Sequence, residues 1–282
     1  MINLTKFYQE IRNSSSLPLL VEGDDGVKYV IKLRGGADGA IANIIEWLSL
    51  QFARLIQIPA LTPELLIVDA DLVQQVDNAE TRDIVEKSIG INFGTIYIEN
   101  AKIFDPQDVS KIDDRLKSSI FLYDLFLLNI DRTFNNSNMI YDCQNQLLCF
   151  DYTSSMMVRF VLMNLSHKYS DAFGKQIKKH PFYHDQLSVD HFVTRVDSVS
   201  SESILEIIKE IPDTWLTQLN LGNDFHHIHN TILNNLLERI NQVRFMDENL
   251  KLLKNISLES EEQRKVRVYR NKQLFIDKFG KL

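Results

Sequence analysis

The chain is poor in cysteine, in long apolar runs and in net positive charge, and each shortage narrows what it can be. Only two cysteines, Cys143 and Cys149, occur in 282 residues. They flank a turn-like stretch at 144–146, so one disulfide across it is conceivable; two reduced, mostly buried thiols in a reducing compartment are the expectation. No apolar stretch approaches the roughly 18 residues that span a bilayer, so no transmembrane helix is expected. The N-terminal "MINLTKFYQEIRN" carries Glu10 and lacks both an apolar h-region and a small-residue cleavage site. It does not read as a signal peptide, and a cytoplasmic, non-membrane protein is expected. With a formal charge of -7 and a pI near 5.5, the totals advertise no nucleic-acid or anionic-membrane partner. No helix-turn-helix, internal repeat or low-complexity tract is evident, so direct DNA binding is not expected.

What is present is a large apolar budget: 44% of residues are hydrophobic, enough for one large domain or two lobes sharing a cleft. After a helical pattern over residues 4–11, "SLPLLVEGDDGVKYVIKL" reads as a β-hairpin about Gly23, Asp24, Asp25 and Gly26. "GGADG" is a link to "AIANIIEWLSLQFARLI", whose apolar residues recur at helical spacing and which Pro59 closes. "ELLIVD" and "GTIYIE" read as strands. Asp105 or Asp108 is positioned to cap one long helix through "VSKIDDRLKSSIFLYDLFLL". "NMIYD" and "QLLCF" form a second hairpin, and beyond Thr153 the pattern is mainly helical, as in "SESILEIIKEI", "PDTWLTQL" and "HNTILNNLLERINQVRF". Trp47 and Trp215 are expected as core anchors.

The densest polar stretch, "NIDRTFNNSN", interrupts apolar sequence directly after one element and directly before a hairpin. It places Asn136 five residues after Asp131, and the second strand of the hairpin ends at Asp151. Phosphoryl transfer to a hydroxyl needs that donor set. One carboxylate orients the hydroxyl and accepts its proton, while an amide oxygen and a second carboxylate hold Mg²⁺ against nucleotide phosphates. Lys32 in "YVIKL" lies on a strand in a valine, isoleucine, lysine order. Glu46 lies on the following helix in a stripe with the small residues Ala42, Ser49 and Ala53, which lets a carboxylate approach Lys32. Each feature singly has an ordinary reading: an Asn-rich turn that stops a helix, a solvated strand lysine, an exposed helix glutamate. Their order along the chain is what points to chemistry. Asn138 is read as stabilising the loop and Arg132 as bracing it. His226, His227 and His229 lack a second ligand cluster at metal-binding spacing and read as a helix surface.

Residues 14–216 resemble the HipA-type serine/threonine kinases, in their compact HipA-like form. The resemblance rests on "SLPLLVEGDDGVKYVIKLRGG", "EWLSLQFARLIQIPALTPELLIVD", "INFGTIYIE", "NIDRTFNNSNMI", "FDYTSS" and, more loosely, "EIPDTWL". It implies an α+β, bilobal, protein-kinase-like fold, with a small β-rich N-lobe over 1–104 and a larger, mainly helical C-lobe over 105–282. ATP and Mg²⁺ would bind between the lobes. By the same resemblance Asp131 is the catalytic aspartate, Asn136 and Asp151 are metal ligands, Lys32 binds phosphate and Glu46 is its partner. Glu99, Asn100 and Ala101 would form a hinge that meets adenine. Two departures stand out: no G-x-G-x-x-G loop precedes Lys32, and Asp151 is followed by Tyr152 and Thr153 rather than Phe-Gly. In place of the glycine-rich loop stands "RNSSSLP", where Ser14, Ser15 and Ser16 would offer hydroxyls and backbone N–H groups to phosphate. Autophosphorylation of one of them, Ser14 or Ser16 first, is implied as an off-switch.

The resemblance further implies a protein substrate, such as an aminoacyl-tRNA synthetase or another translation factor. A role as the toxin of a toxin–antitoxin pair would need a separate antitoxin protein. A small-molecule or lipid-head-group kinase is the alternative enzyme, and a catalytically silent nucleotide-binding module that holds a partner is the alternative outside enzymes. The basic C-terminal "RKVRVYRNKQLFIDKFGKL" reads as a solvated helix, with a protein- or tRNA-binding surface as the sharper option.

Overall fold

A computed structural model describes residues 1–11, 17–163, 171–184, 186–222 and 224–256, with 266, 269 and 270 isolated beyond them. Ser14, Ser15 and Ser16, and most of the basic C-terminal segment, lie outside the described residues. The fold is mixed α+β, with strands concentrated before residue 104 and helices after it.

The chain opens with a strand, not the helix its pattern suggested. Leu4, Phe7 and Ile11 mimic helical spacing, but β1 (Ile2–Glu10) pairs antiparallel with β2 (Leu19–Gly23) and, through Ile2 and Asn3, parallel with Leu66 and Ile67. Two register shifts, between Leu4 and Lys6 and between Phe7 and Gln9, break the period of two that would have marked it as a strand. The hairpin between β2 and β3 (Lys28–Lys32) forms as its sequence requires. Asp25 accepts a bond from the Val27 N–H, and Gly26 takes φ +75°, a left-handed turn conformation that glycine adopts without strain.

Helix α1 (Gly39–Leu55) follows, then β4 (Pro63–Val68), α2 (Ala70–Gln74), α3 (Ala79–Glu86) and β5 (Gly90–Ile96). The last strand begins earlier than "GTIYIE" suggested. Gly94 lies between Ile31 and Glu64 of its neighbours, where a Cβ would stand 2.3 Å from Leu66 Cδ1. The five strands close as a barrel in the order β1-β2-β3-β5-β4, filled by Leu19, Val21, Ile31, Leu66 and Val68.

A short strand β6 (Lys102–Ile103) leads to a 3₁₀ turn at Pro106–Lys111, capped by Asp105. Helix α4 (Asp114–Leu127) then starts afresh with Asp113 as its cap, so the single long helix expected here is two elements. Ile112 takes an extended backbone, which ends one element and lets Asp113 begin the next. Strands β7 (Met139–Tyr141) and β8 (Leu147–Cys149) extend β6 into a three-stranded sheet. Helices α5 (Met156–Leu162), α6 (Asp171–Ile177), α7 (Asp190–Asp197), α8 (Ser201–Lys209), α9 (Asp213–Gln218), α10 (Phe225–Asn241) and α11 (Met246–Asn255) follow among the described residues.

The helices share a second core with Phe121, Phe126 and Trp215. Helix α1 precedes residue 104, yet its stripe of Ile44, Ile45, Leu48 and Phe52 belongs to that core. Trp47 and Trp215 are both buried; their indole N–H groups donate to the Ile207 and Ile91 carbonyls at 3.1 and 2.8 Å. Cys143 and Cys149 are free thiols; Cys149 is buried as expected, whereas Cys143 is exposed at the turn.

Candidate active site

Lys32 ends β3, Glu46 lies midway along α1, and Asp151 follows β8; the fold brings all three together. Lys32 Nζ stands 2.6 Å from Glu46 Oε1, 2.7 Å from Asp151 Oδ1 and 3.0 Å from Thr153 Oγ1. The stripe of small residues does what its composition suggested: Glu46 is only 1% exposed, with Ala42, Ser49 and Ala53 also buried. A buried carboxylate needs donors. Three converge on Oε1: Lys32, the Thr153 hydroxyl at 2.7 Å and the Tyr152 N–H at 3.0 Å.

Burial opposes the charge on Lys32, but the carboxylates of Glu46 and Asp151 outweigh it and hold the ammonium above its ordinary pKa. Burial likewise works against ionised Asp151, and Lys32 prevails, so its pKa is lowered. For Glu46 burial is the stronger influence and raises the pKa against the pull of Lys32. Asp151 has φ +56°, in the left-handed region that aspartate and asparagine enter more readily than other non-glycine residues. That turn at the end of β8 sends the Tyr152 N–H to Glu46 while the Asp151 side chain reaches Lys32.

Asp131 sits in a second constellation. Helix α4 ends with Leu128 in the left-handed region, and the chain leaves it into the polar loop. Asn136 Nδ2 donates to Asp131 Oδ2 at 2.8 Å, and Asn138 Nδ2 donates to the same oxygen at 3.3 Å. Reciprocal backbone bonds between Thr133 and Asn136 close a turn that presents Phe134 to solvent. Asn136 is thus bonded to Asp131; no hydrogen bond among the described residues joins it to Asp151.

Beneath this loop lies a buried network that sequence reasoning found only in part. Arg132 is 1% exposed; its Nε donates to Asp124 Oδ2 at 2.5 Å, and Nη1 donates to the carbonyls of Ser137, at 3.1 Å, and Asn138. Its guanidinium also lies 5.1 Å from the centre of the Tyr152 ring. Asp124 Oδ1 accepts from Asn129 Nδ2 at 2.9 Å, and His180 Nε2 lies 2.9 Å from Oδ2. Because the Phe182 N–H donates to His180 Nδ1, the neutral ring must carry its proton on Nε2 and give it to Asp124. Arg132 therefore braces both ends of the loop against α4. Asp124 had one sequence signal, a lone carboxylate inside the apolar run "FLYDLFLL", which burial obliges to find a cation. His180 had none.

The remaining residues singled out in the sequence share no hydrogen bond or ion pair with Lys32, Asp131 or Asp151 among the described residues. Glu99 forms an exposed ion pair with Lys28 at 2.7 Å, and Ala101 N–H closes a turn on the Ile98 carbonyl with Asn100 at φ +59°. His226, His227 and His229 lie in the first turns of α10. Among the described residues no group of three His, Cys, Asp or Glu side chains is placed to hold a metal ion. A cavity of about 630 Å³ lined by α4, α7 and residues 181–184, Gln186 and Ser188 contains none of these site residues.

A family model described as HipA-like kinase matches residues 4–249. No curated protein matches the chain in sequence. Among solved structures it resembles a proinflammatory kinase of Helicobacter pylori, CtkA, at 11% identity over 92% of this chain and 97% of that one, with a TM-score of 0.47. With the family model spanning most of its length, the chain belongs to the HipA-like kinases.

Proposed function

We propose that this HipA-like kinase is an ATP-dependent serine/threonine protein kinase of bilobal form, with ATP held between the 1–104 and 105–282 regions. The observation that carries this reading is the Lys32–Glu46–Asp151 network, in which a lysine on the barrel, a glutamate on α1 and an aspartate after β8 meet within hydrogen-bond distance. Lys32 binds phosphate oxygens. Asp131, fixed by Asn136 and Asn138, orients the substrate hydroxyl and accepts its proton as the oxygen attacks the γ-phosphorus and ADP departs. The donors suit a hard divalent cation: Asn136 turns its amide nitrogen to Asp131, leaving Oδ1 as a hard oxygen ligand, and Asp151 supplies a carboxylate. When bound, Mg²⁺ neutralises charge on the phosphates. Glu99, Asn100 and Ala101 line the hinge that meets adenine.

The finer biology belongs to the same proposal. A protein substrate in the translation machinery, such as an aminoacyl-tRNA synthetase, a toxin role opposed by a separate antitoxin, and autophosphorylation among Ser14, Ser15 and Ser16 are carried by family resemblance. The test is incubation of purified wild type and Asp131→Asn with γ-labelled ATP and Mg²⁺, followed by intact-mass and peptide analysis over residues 14–16. Label on the wild type alone is expected. Equal label on both proteins would remove Asp131 from its role, and label passing only to small metabolites would favour a small-molecule kinase.

A further inference from the structure

Lys32 is fully engaged before any ligand arrives. An ammonium has three N–H bonds, and Glu46 Oε1, Asp151 Oδ1 and Thr153 Oγ1 accept them at 2.6, 2.7 and 3.0 Å. The direction of each bond is fixed, because the single proton of the Thr153 hydroxyl goes to Glu46 Oε1 at 2.7 Å. Toward Lys32 the hydroxyl is an acceptor only.

For Lys32 to reach a phosphoryl oxygen, one of the three acceptors must let go. Glu46 is 1% exposed and holds two further donors, so it stays. The Asp151 side chain is 27% exposed, and a cation bound there would compete for its carboxylate. Asp151 is therefore the acceptor exchanged for phosphate. Glu46 alone would leave the ammonium free to turn about the Nζ···Oε1 line. A second fixed acceptor removes that freedom and aims the third N–H.

We propose that Thr153 is a positioning residue that supplies this second acceptor and keeps Lys32 aimed when Asp151 turns to the divalent cation. The inference rests on the nucleotide-site reading and deepens it. Thr153 follows Asp151 at the place where the D-F-G pattern has glycine, which has no hydroxyl to offer. Here the segment that carries Asp151 is tied by that hydroxyl directly to the Lys32–Glu46 pair, so the two halves of the site are assembled together.

The test uses the full chain with Thr153→Val, Thr153→Ala and Thr153→Ser, read in two ways. The first is affinity for a non-hydrolysable ATP analogue with Mg²⁺. The second, on protein without nucleotide, is the rate at which an amine-directed acylating reagent modifies Lys32, mapped by peptide mass. Valine and alanine are expected to weaken the analogue by about tenfold, the scale of one hydrogen bond to a charged group. They are also expected to speed acylation of Lys32, since Nζ is then held by two partners instead of three and is freer to turn toward the reagent. Serine keeps the hydroxyl and should match wild type on both counts. Valine and alanine variants indistinguishable from wild type overturn the proposal alone, as does a serine variant as impaired as valine. A wild type that binds no analogue and is indifferent to Lys32→Ala overturns the nucleotide site and this proposal with it.

Discussion

Arg132 and Asp124 show how much a single buried pair can control. Both are shut away from solvent, and the pair is tolerable because Asn129, His180 and two loop carbonyls satisfy most of its hydrogen bonding, with Arg132 Nη2 left without a partner among the described residues. Removing one partner leaves an uncompensated buried charge. Arg132→Met is expected to cost about 3–5 kcal/mol, measurable by urea unfolding. The pH dependence follows from the same group. Burial works against the Asp124 charge, but Arg132 and His180 together hold its pKa below the ordinary value, so its contribution is present above the unfolded carboxylate range and lost as pH falls through the lowered value. Burial lowers the His180 pKa, so the unfolded chain takes up a proton first and stability declines as pH falls below about 6.5. His180→Gln retains a donor for Asp124 but does not titrate. Its stability should be flatter than wild type as pH falls below about 6.5, and an unchanged slope there would remove His180 as the source.

Gly94 makes the element-scale case. It sits where β3, β5 and β4 lie side by side, and a Cβ there would press on Leu66 Cδ1 at 2.3 Å and the Val30 carbonyl at 3.1 Å. Leu66 is itself wholly buried in the barrel, so it has little room to retreat. Gly94→Val is expected to destabilise by about 1–3 kcal/mol, the usual cost of overpacking, seen as a lower urea midpoint. Elements whose local signals agree with their partners were legible: the β2–β3 hairpin, α1, the β7–β8 hairpin, and α8 to α10. Those that depend on distant partners were not. Strand β1 was hidden because its bulges scramble alternation and its pairing partners lie 9–19 residues away in β2 and 64 away in β4. The break before α4 was obscured by three aspartates in close succession, Asp105, Asp108 and Asp113, of which Asp105 and Asp113 each cap a different element. For the site, Lys32, Glu46 and Asp151 were readable from order and residue type, and they meet. Thr153 and His180 were not, since a hydroxyl or an imidazole gains its role only from what folding places beside it.

At the scale of the whole molecule, the site is the seam between two cores. Lys32 extends from the barrel, Glu46 from a helix whose apolar face belongs to the helical core, and Asp151 from the turn after β8. Trp215 adds a second tie by donating to the Ile91 carbonyl at the start of β5. On the proposed reading, a nucleotide held by Lys32 on one side and by Asp131, Asn136 and Asp151 on the other would stabilise both parts at once. A ligand at a hundred times its dissociation constant adds about 2.7 kcal/mol to the native state. For a chain of this length that is a rise in midpoint of roughly 4–5 °C. A non-hydrolysable ATP analogue with Mg²⁺ at that excess should raise the thermal midpoint of wild type by this amount. Asp151→Asn should lose most of the rise because it forfeits the cation's carboxylate. Lys32→Ala should lose it because the phosphates have no counter-charge on the barrel side. A full shift retained in both variants would place the nucleotide elsewhere on the molecule and leave the seam a structural tie alone.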